Sequence, residues 1–141
     1  MTKKLLFAFF ALTLLISKLS GQTFLIFGGK SHDVFLGCLN CDKHGDKSIW
    51  NKNSDFGSKH NDKSIWNKYG DYGGKYSDYS PFNRNASYPP VIVDPDGNFY
   101  GYFTADKYKD KRTEIKLALI IIENWEVIQD DVSEAYETIF K

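Results

Sequence analysis

Ser48-Ile49-Trp50-Asn51-Lys52, Ser64-Ile65-Trp66-Asn67-Lys68 and Ser80-Pro81-Phe82-Asn83-Arg84 stand 16 residues apart, and this recurrence decides how the middle of the chain is read. Aligned at that spacing, residues 42–57 and 58–73 agree at 11 of 16 positions, and residues 74–89 form a looser third copy. Four columns hold throughout: Lys43/Lys59/Lys75, Asp46/Asp62/Asp78, Ser48/Ser64/Ser80 and Asn51/Asn67/Asn83. Such regularity marks repeated structural units. Each copy supplies two rings, Trp50, Trp66 and Phe82 at one position and Phe56, Tyr72 and Tyr88 at another. Stacked copies therefore predict two ring columns in a narrow aromatic core.

The copies hold too few aliphatic residues for long strands. Their Ser, Asn, Asp and Gly content predicts turns and one-turn helices, with an Asp two residues before each Ser starting a turn and Asn and Gly closing the next. The same polar composition also suits a disordered segment.

Either side of the repeats the pattern changes. Thr23–Phe27 and Val34–Leu39 are apolar runs around a Gly-rich loop, and Val91–Val93 and Phe99–Thr104 flank Asp94-Pro95-Asp96-Gly97-Asn98. These read as two β-hairpins, at about 23–39 and 91–104, which pair into one small antiparallel sheet because a lone hairpin is marginal in water. The part from 111 to 141 reads as one or two helices. Ile115, Ala118, Leu119, Ile122 and Trp125 lie at helical spacing, although Ile120-Ile121-Ile122 also suits a strand. A second helix starts at a cap, Asp131, with Glu134 three residues on and Val132, Ala135, Tyr136, Ile139 and Phe140 on one face. The expected architecture is α+β, with the helices covering the sheet.

The first residues read as an export signal: Lys3 and Lys4, an apolar run from Leu5 to Ile16, then a short polar stretch to Gly21. The run is too short for a permanent membrane anchor. Residues 1–21 are thus expected to be removed, leaving one mature domain at 22–141, periplasmic or secreted. The chain carries 18 basic and 18 acidic residues, and Lys3, Lys4 and Lys18 leave with the signal. The mature part is slightly acidic and lacks the broad positive field that phosphate backbones select, while a local Lys-lined groove stays open to it.

The candidate chemistry is sparse. Cys38 and Cys41 form a C-x-x-C; without a following His it is no haem attachment, and at the end of a strand it lacks the helix N-terminus of redox sites. A local disulfide or two packed thiols are favoured, and zinc would need His44 and His60 as further ligands. His44 and His60 each precede an Asp by two residues, the arrangement of a general base with its orienting carboxylate. The third copy carries Tyr76 in that slot, so the position accepts a ring without imidazole chemistry. The turn residues of each copy and the Asp94–Asn98 loop offer oxygens to Ca2+, but the same residues are turn formers. No catalytic residue, metal or cofactor is assigned from the sequence. Candidate binding residues are Trp50, Trp66 and Phe82 with Asn51, Asn67 and Asn83, since exposed rings beside amides can stack on and hydrogen-bond sugars. The same rings can equally form the core.

The run from Phe35-Leu36-Gly37 through Ser64-Ile65-Trp66-Asn67-Lys68-Tyr69-Gly70-Asp71-Tyr72-Gly73 to Asp96-Gly97-Asn98-Phe99-Tyr100-Gly101 resembles a family of short exported bacterial proteins. In that family S-I-x-N-x-Y-G-x-Y-G repeats lie between two hairpins, and similar repeats form a C-terminal appendage on secreted nucleases of the thermonuclease type. The likeness covers about residues 34–104 and transfers no catalytic residue, because no nuclease domain precedes the first hairpin. It implies an accessory module. The ring-bearing repeat, joined to the lack of a catalytic constellation, makes the leading expectation an exported non-enzymatic module that binds envelope glycan or a partner protein through its repeat face. A hydrolase using His44 and His60 with neighbouring Asp residues, and a purely structural secreted element, are the competing expectations.

Overall fold

The computed structural model describes residues 21–141; the expected export signal lies outside the described residues except for Gly21. Four short strands, β1 (Leu25–Gly28), β2 (Val34–Cys38), β3 (Val91–Val93) and β4 (Phe99–Tyr102), form one antiparallel sheet in the order β2-β1-β3-β4. The two hairpins meet through β1 and β3, with Ile26 opposite Ile92. Two helices follow, α1 (Lys116–Asp130) and α2 (Val132–Phe140), so the architecture is α+β.

Between the hairpins the chain forms no helix and no strand but a continuous series of turns. In the first copy N–H groups of Gly45, Ser48, Asn51 and Ser54 each donate to the carbonyl three residues back, and Ser58 then donates four back, to Ser54. The second copy repeats this through Asn61, Ser64, Asn67 and Gly70 to Gly74. Four three-residue steps and one four-residue step make the 16-residue period. The third copy keeps the bonds at Ser77, Ser80 and Ala86.

A polar side chain holds most corners, Gly45, Gly70 and Gly74 being the exceptions. Oxygens of Ser48, Asn51, Ser54, Ser58, Asn61, Ser64 and Asn67 accept the N–H two residues ahead, as do Ser77, Ser80 and Asn83 in the third copy. This is the local side-chain-to-backbone bonding for which Ser and Asn are favoured in turns. The corners are Ser and Asn, with Asp42 at the first, which corrects the expectation that Asp46, Asp62 and Asp78 would start the turns. Gly73 shows how tightly the coil closes, since a Cβ there would stand 2.6 Å from the Ile65 carbonyl oxygen.

One turn of this coil stacks on the next. Trp50 and Trp66 have ring centroids 5.6 Å apart, and Trp66 and Phe82 stack at 6.2 Å. Each indole also finds its acceptor in the preceding layer: Trp50 Nε1 donates to the Leu39 carbonyl and Trp66 Nε1 to the Ile49 carbonyl. The column is core, with Trp50, Trp66 and Phe82 all buried.

The sheet packs against the second ring position. Phe35 meets Phe56 at 4.9 Å, the Tyr72 ring lies against Gly28, and Cys38 bridges in parallel to Ser48. Gly37 makes this approach with φ 109°, where a Cβ would fall 2.7 Å from that of Phe56.

The helices do not cover the sheet, which corrects the expected layering; they close the first ring column instead. Tyr136 and Phe140 of α2 pack on Trp50 at 6.1 and 5.6 Å, and Trp125 of α1 stacks on Phe82 at 4.9 Å. Asn124 leaves helical geometry (φ −131°, ψ 17°) and returns its amide to the Ile120 carbonyl, a kink with a defined cause just before Trp125. Of the expected stripe Ala118 and Ile122 are buried and Ile115 and Trp125 pack against the core, while Leu119 gives way to Leu117, Ile121 and Ile128. In α2 the expected cap holds: Asp131 accepts from the Glu134 N–H at 3.0 Å.

Because Trp66 supports a ring on each side and fills the centre, Trp66→Ala is expected to cost about 3–5 kcal/mol. That is a large part of the ~5–15 kcal/mol typical of a domain. Urea unfolding monitored by near-UV circular dichroism measures it; a loss below about 1 kcal/mol would contradict the column as core.

Candidate functional site

The residues first considered for binding are occupied by structure. Trp50, Trp66 and Phe82 are 0%, 1% and 6% exposed, so none presents a ring face to a ligand. Asn51, Asn67 and Asn83 are staples. Each accepts the N–H two residues ahead through Oδ1 and donates through Nδ2 to the carbonyl six residues back, at Gly45, Asn61 and Ser77. An amide supplies both the donor and the acceptor, and the hydroxyls of Ser54 and Ser77 do the same, each accepting two residues ahead and donating six back. Of the two expectations for these rings, a sugar-binding face and an aromatic core, the structure shows the core.

Cys38 and Cys41 are joined as a disulfide with Cα atoms 5.6 Å apart, which takes both sulfurs out of thiol and thiolate chemistry. His44 and His60 are exposed, and neither imidazole is hydrogen-bonded to a carboxylate among the described residues. At Asp42 it is the backbone N–H of His44 that donates, at 2.9 Å, and this bond holds the carboxyl below its ordinary value. Among the described residues no group of three or more His, Cys, Asp and Glu is placed to hold a metal ion.

What the coil leaves open is its edge. A groove of about 670 Å3 runs between the junction of the second and third copies and helix α1. Lys68, Tyr69, Lys75 and Tyr76 form one wall, and Trp125 and Gln129 line the other. Tyr69 and Tyr76 are 88% and 84% exposed, the opposite of the column rings. Each carries a cation from the preceding residue, with Lys68 and Lys75 Nζ both 5.3 Å from the ring centroids. Asp71, Glu126 and Asp130 add carboxylates to the same groove.

Two smaller openings continue along this edge. One, of about 250 Å3, lies at the junction of the first and second copies beside Lys52, Lys59 and His60, and it shares Gln129 and Asp130 with the large groove. The other, of about 480 Å3, is lined by Arg84, Asn85, Lys107 and Tyr108. The repeat explains the series. Lys52, Lys68 and Arg84 share one column, and Lys59 and Lys75 share another. Tyr76 occupies the slot that holds His44 and His60 in the other copies, so the comparison of copies that set catalysis aside had already found a groove residue.

The Asp94–Asn98 loop uses its oxygens internally. Asp94 accepts from the N–H groups of Asp96 and Asn98, from Asn98 Nδ2 and from the Tyr100 hydroxyl. The Asn98 side chain is the largest cause holding the Asp94 carboxyl below its ordinary value of 3.8. A depressed folded-state value contributes stability above the unfolded value, and that stability is lost as pH falls through the folded one. Asp94→Asn is therefore expected to be less stable than the parent at pH 7, with the difference closing below about pH 3.8. Melting temperatures of both proteins from pH 7 to 2 measure this, and a pH-independent gap would refute it.

No helix among the described residues is long and apolar enough to cross a membrane. No protein-family model, curated protein or solved structure matches the chain.

Proposed function

We propose that the protein is an exported, non-enzymatic binding module that takes envelope glycan along the edge of its turn coil. The observation that carries this reading is that Tyr69 and Tyr76, both exposed, line one 670 Å3 groove in a chain that buries its column rings. Grooves lined by aromatic rings with a few convergent polar groups are the usual form of small-ligand and sugar sites. Tyrosine suits the task, with an apolar body to lie against a sugar face and a hydroxyl to bond at its rim. The groove carboxylates and the amide of Gln129 supply acceptors and a donor for hydroxyl groups.

The expected export signal and the resemblance to the repeat family support this reading. A module outside the cytoplasm meets cell-surface polysaccharide before any other polymer, and a local disulfide suits an oxidising compartment.

Replacing both tyrosines, in Tyr69→Ala, Tyr76→Ala, is expected to lower retention on fractionated envelope polysaccharide about tenfold or more. Because both rings stand in solvent, the melting temperature should remain within a degree or two of the parent. Unchanged retention would overturn the proposal.

A further inference from the structure

The edge of the coil repeats a charge as well as a shape. Lys52 and Lys59, Lys68 and Lys75, then Arg84 and Lys107 line three successive openings. The copies that carry them are stacked closely, as the 5.6 and 6.2 Å ring spacings of the core column show. Like charges repeated along one short edge repel each other unless something neutralises them. Among the described residues none of these six cations is in a direct ion pair, the ion pairs being those of Lys43 and Lys141 with Glu137; Asp71, Glu126 and Asp130 share the large groove and Asp106 the third opening.

The facing wall carries the opposite chemistry. Glu126 and Asp130 line the large groove from α1, and Asp130 and Asp131 line the small one. At the meeting of the two openings sits Gln129, 7% exposed, whose Nε2 has no hydrogen-bond partner among the described residues. A buried amide donor left unpaired is costly, and native structures rarely keep one without a use.

From these features we infer that the groove's ligand is an acidic polysaccharide. Its carboxylates lie along the lysine wall, its hydroxyl groups face Glu126 and Asp130, and Gln129 turns its amide to an acceptor on the chain. The inference rests on the glycan reading above and narrows it. A ligand for this groove must offer anions to one wall, hydroxyl donors to the other and an apolar face to Tyr69 and Tyr76. Sugar acids combine all three. DNA offers anions but no backbone hydroxyl donor to the carboxylate wall.

The test is equilibrium binding of the protein to polygalacturonate, alginate and hyaluronate, each beside its methyl ester and beside single-stranded DNA of similar length. The acidic polymers are expected to bind at least tenfold tighter than their esters, with affinity falling as salt rises. Lys68→Gln, Lys75→Gln should remove about tenfold of that preference, read as the ratio of acid to ester affinity within the same variant. Gln129→Leu should weaken binding to the acidic polymers while keeping or raising the melting temperature, because it removes an unpaired buried amide. A purely structural Gln129 would lower stability on replacement and leave affinity alone. Equal binding of acids and esters overturns the acidic class and leaves the glycan reading standing. Binding to none of these polymers overturns the inference, while envelope retention by the parent decides the broader reading. Tighter binding to DNA overturns the inference in favour of a phosphate ligand.

Discussion

A side-chain oxygen accepting the backbone N–H two residues ahead is the interaction on which the rest of this structure depends. Residues 42–89 form neither helix nor strand, yet they enclose buried rings, so their backbone polar groups need partners supplied locally. Ser, Asn and Asp at the corners supply them and turn the chain every third residue. Once the turning is regular, rings that recur every 16 residues fall above one another. The column of Trp50, Trp66 and Phe82 is a consequence of corner chemistry more than of any ring-to-ring attraction.

The sheet and helices follow as lids on that coil. Each hairpin is too short to stand alone, and joined through β1 and β3 they present Gly28, Gly37 and Phe35 to the outer rings Tyr72 and Phe56. The inner column has two ends, and an end ring without a neighbour would face water. Tyr136 and Phe140 close the first end and Trp125 with Phe103 the second. Stacked repeats generally need such caps. The ion pair of Lys43 with Glu137 and the bond from the Tyr136 hydroxyl to Asp42 fasten α2 to the first copy. What remains uncovered is the edge where successive copies meet, and both proposals concern that edge.

The sequence by itself determined the repeat, its period, the two hairpins and the Asp131 cap, because each rests on contacts between residues near in the chain. It also named the six residues that organise every copy. Tertiary structure alone decided their orientation. A Trp flanked by Ser and Asn suits a sugar-binding face and a core equally well until the neighbouring layer is in place; here the carbonyls of Leu39 and Ile49 take the indole N–H groups and bury them. The same holds for the helices, whose apolar stripes fit a sheet or a ring column, and whose kink at Asn124 selects the column. The groove was illegible for the same reason. Tyr69, Tyr76, Trp125 and Gln129 are scattered over 60 residues of sequence, and only the closing of α1 against the coil brings them together.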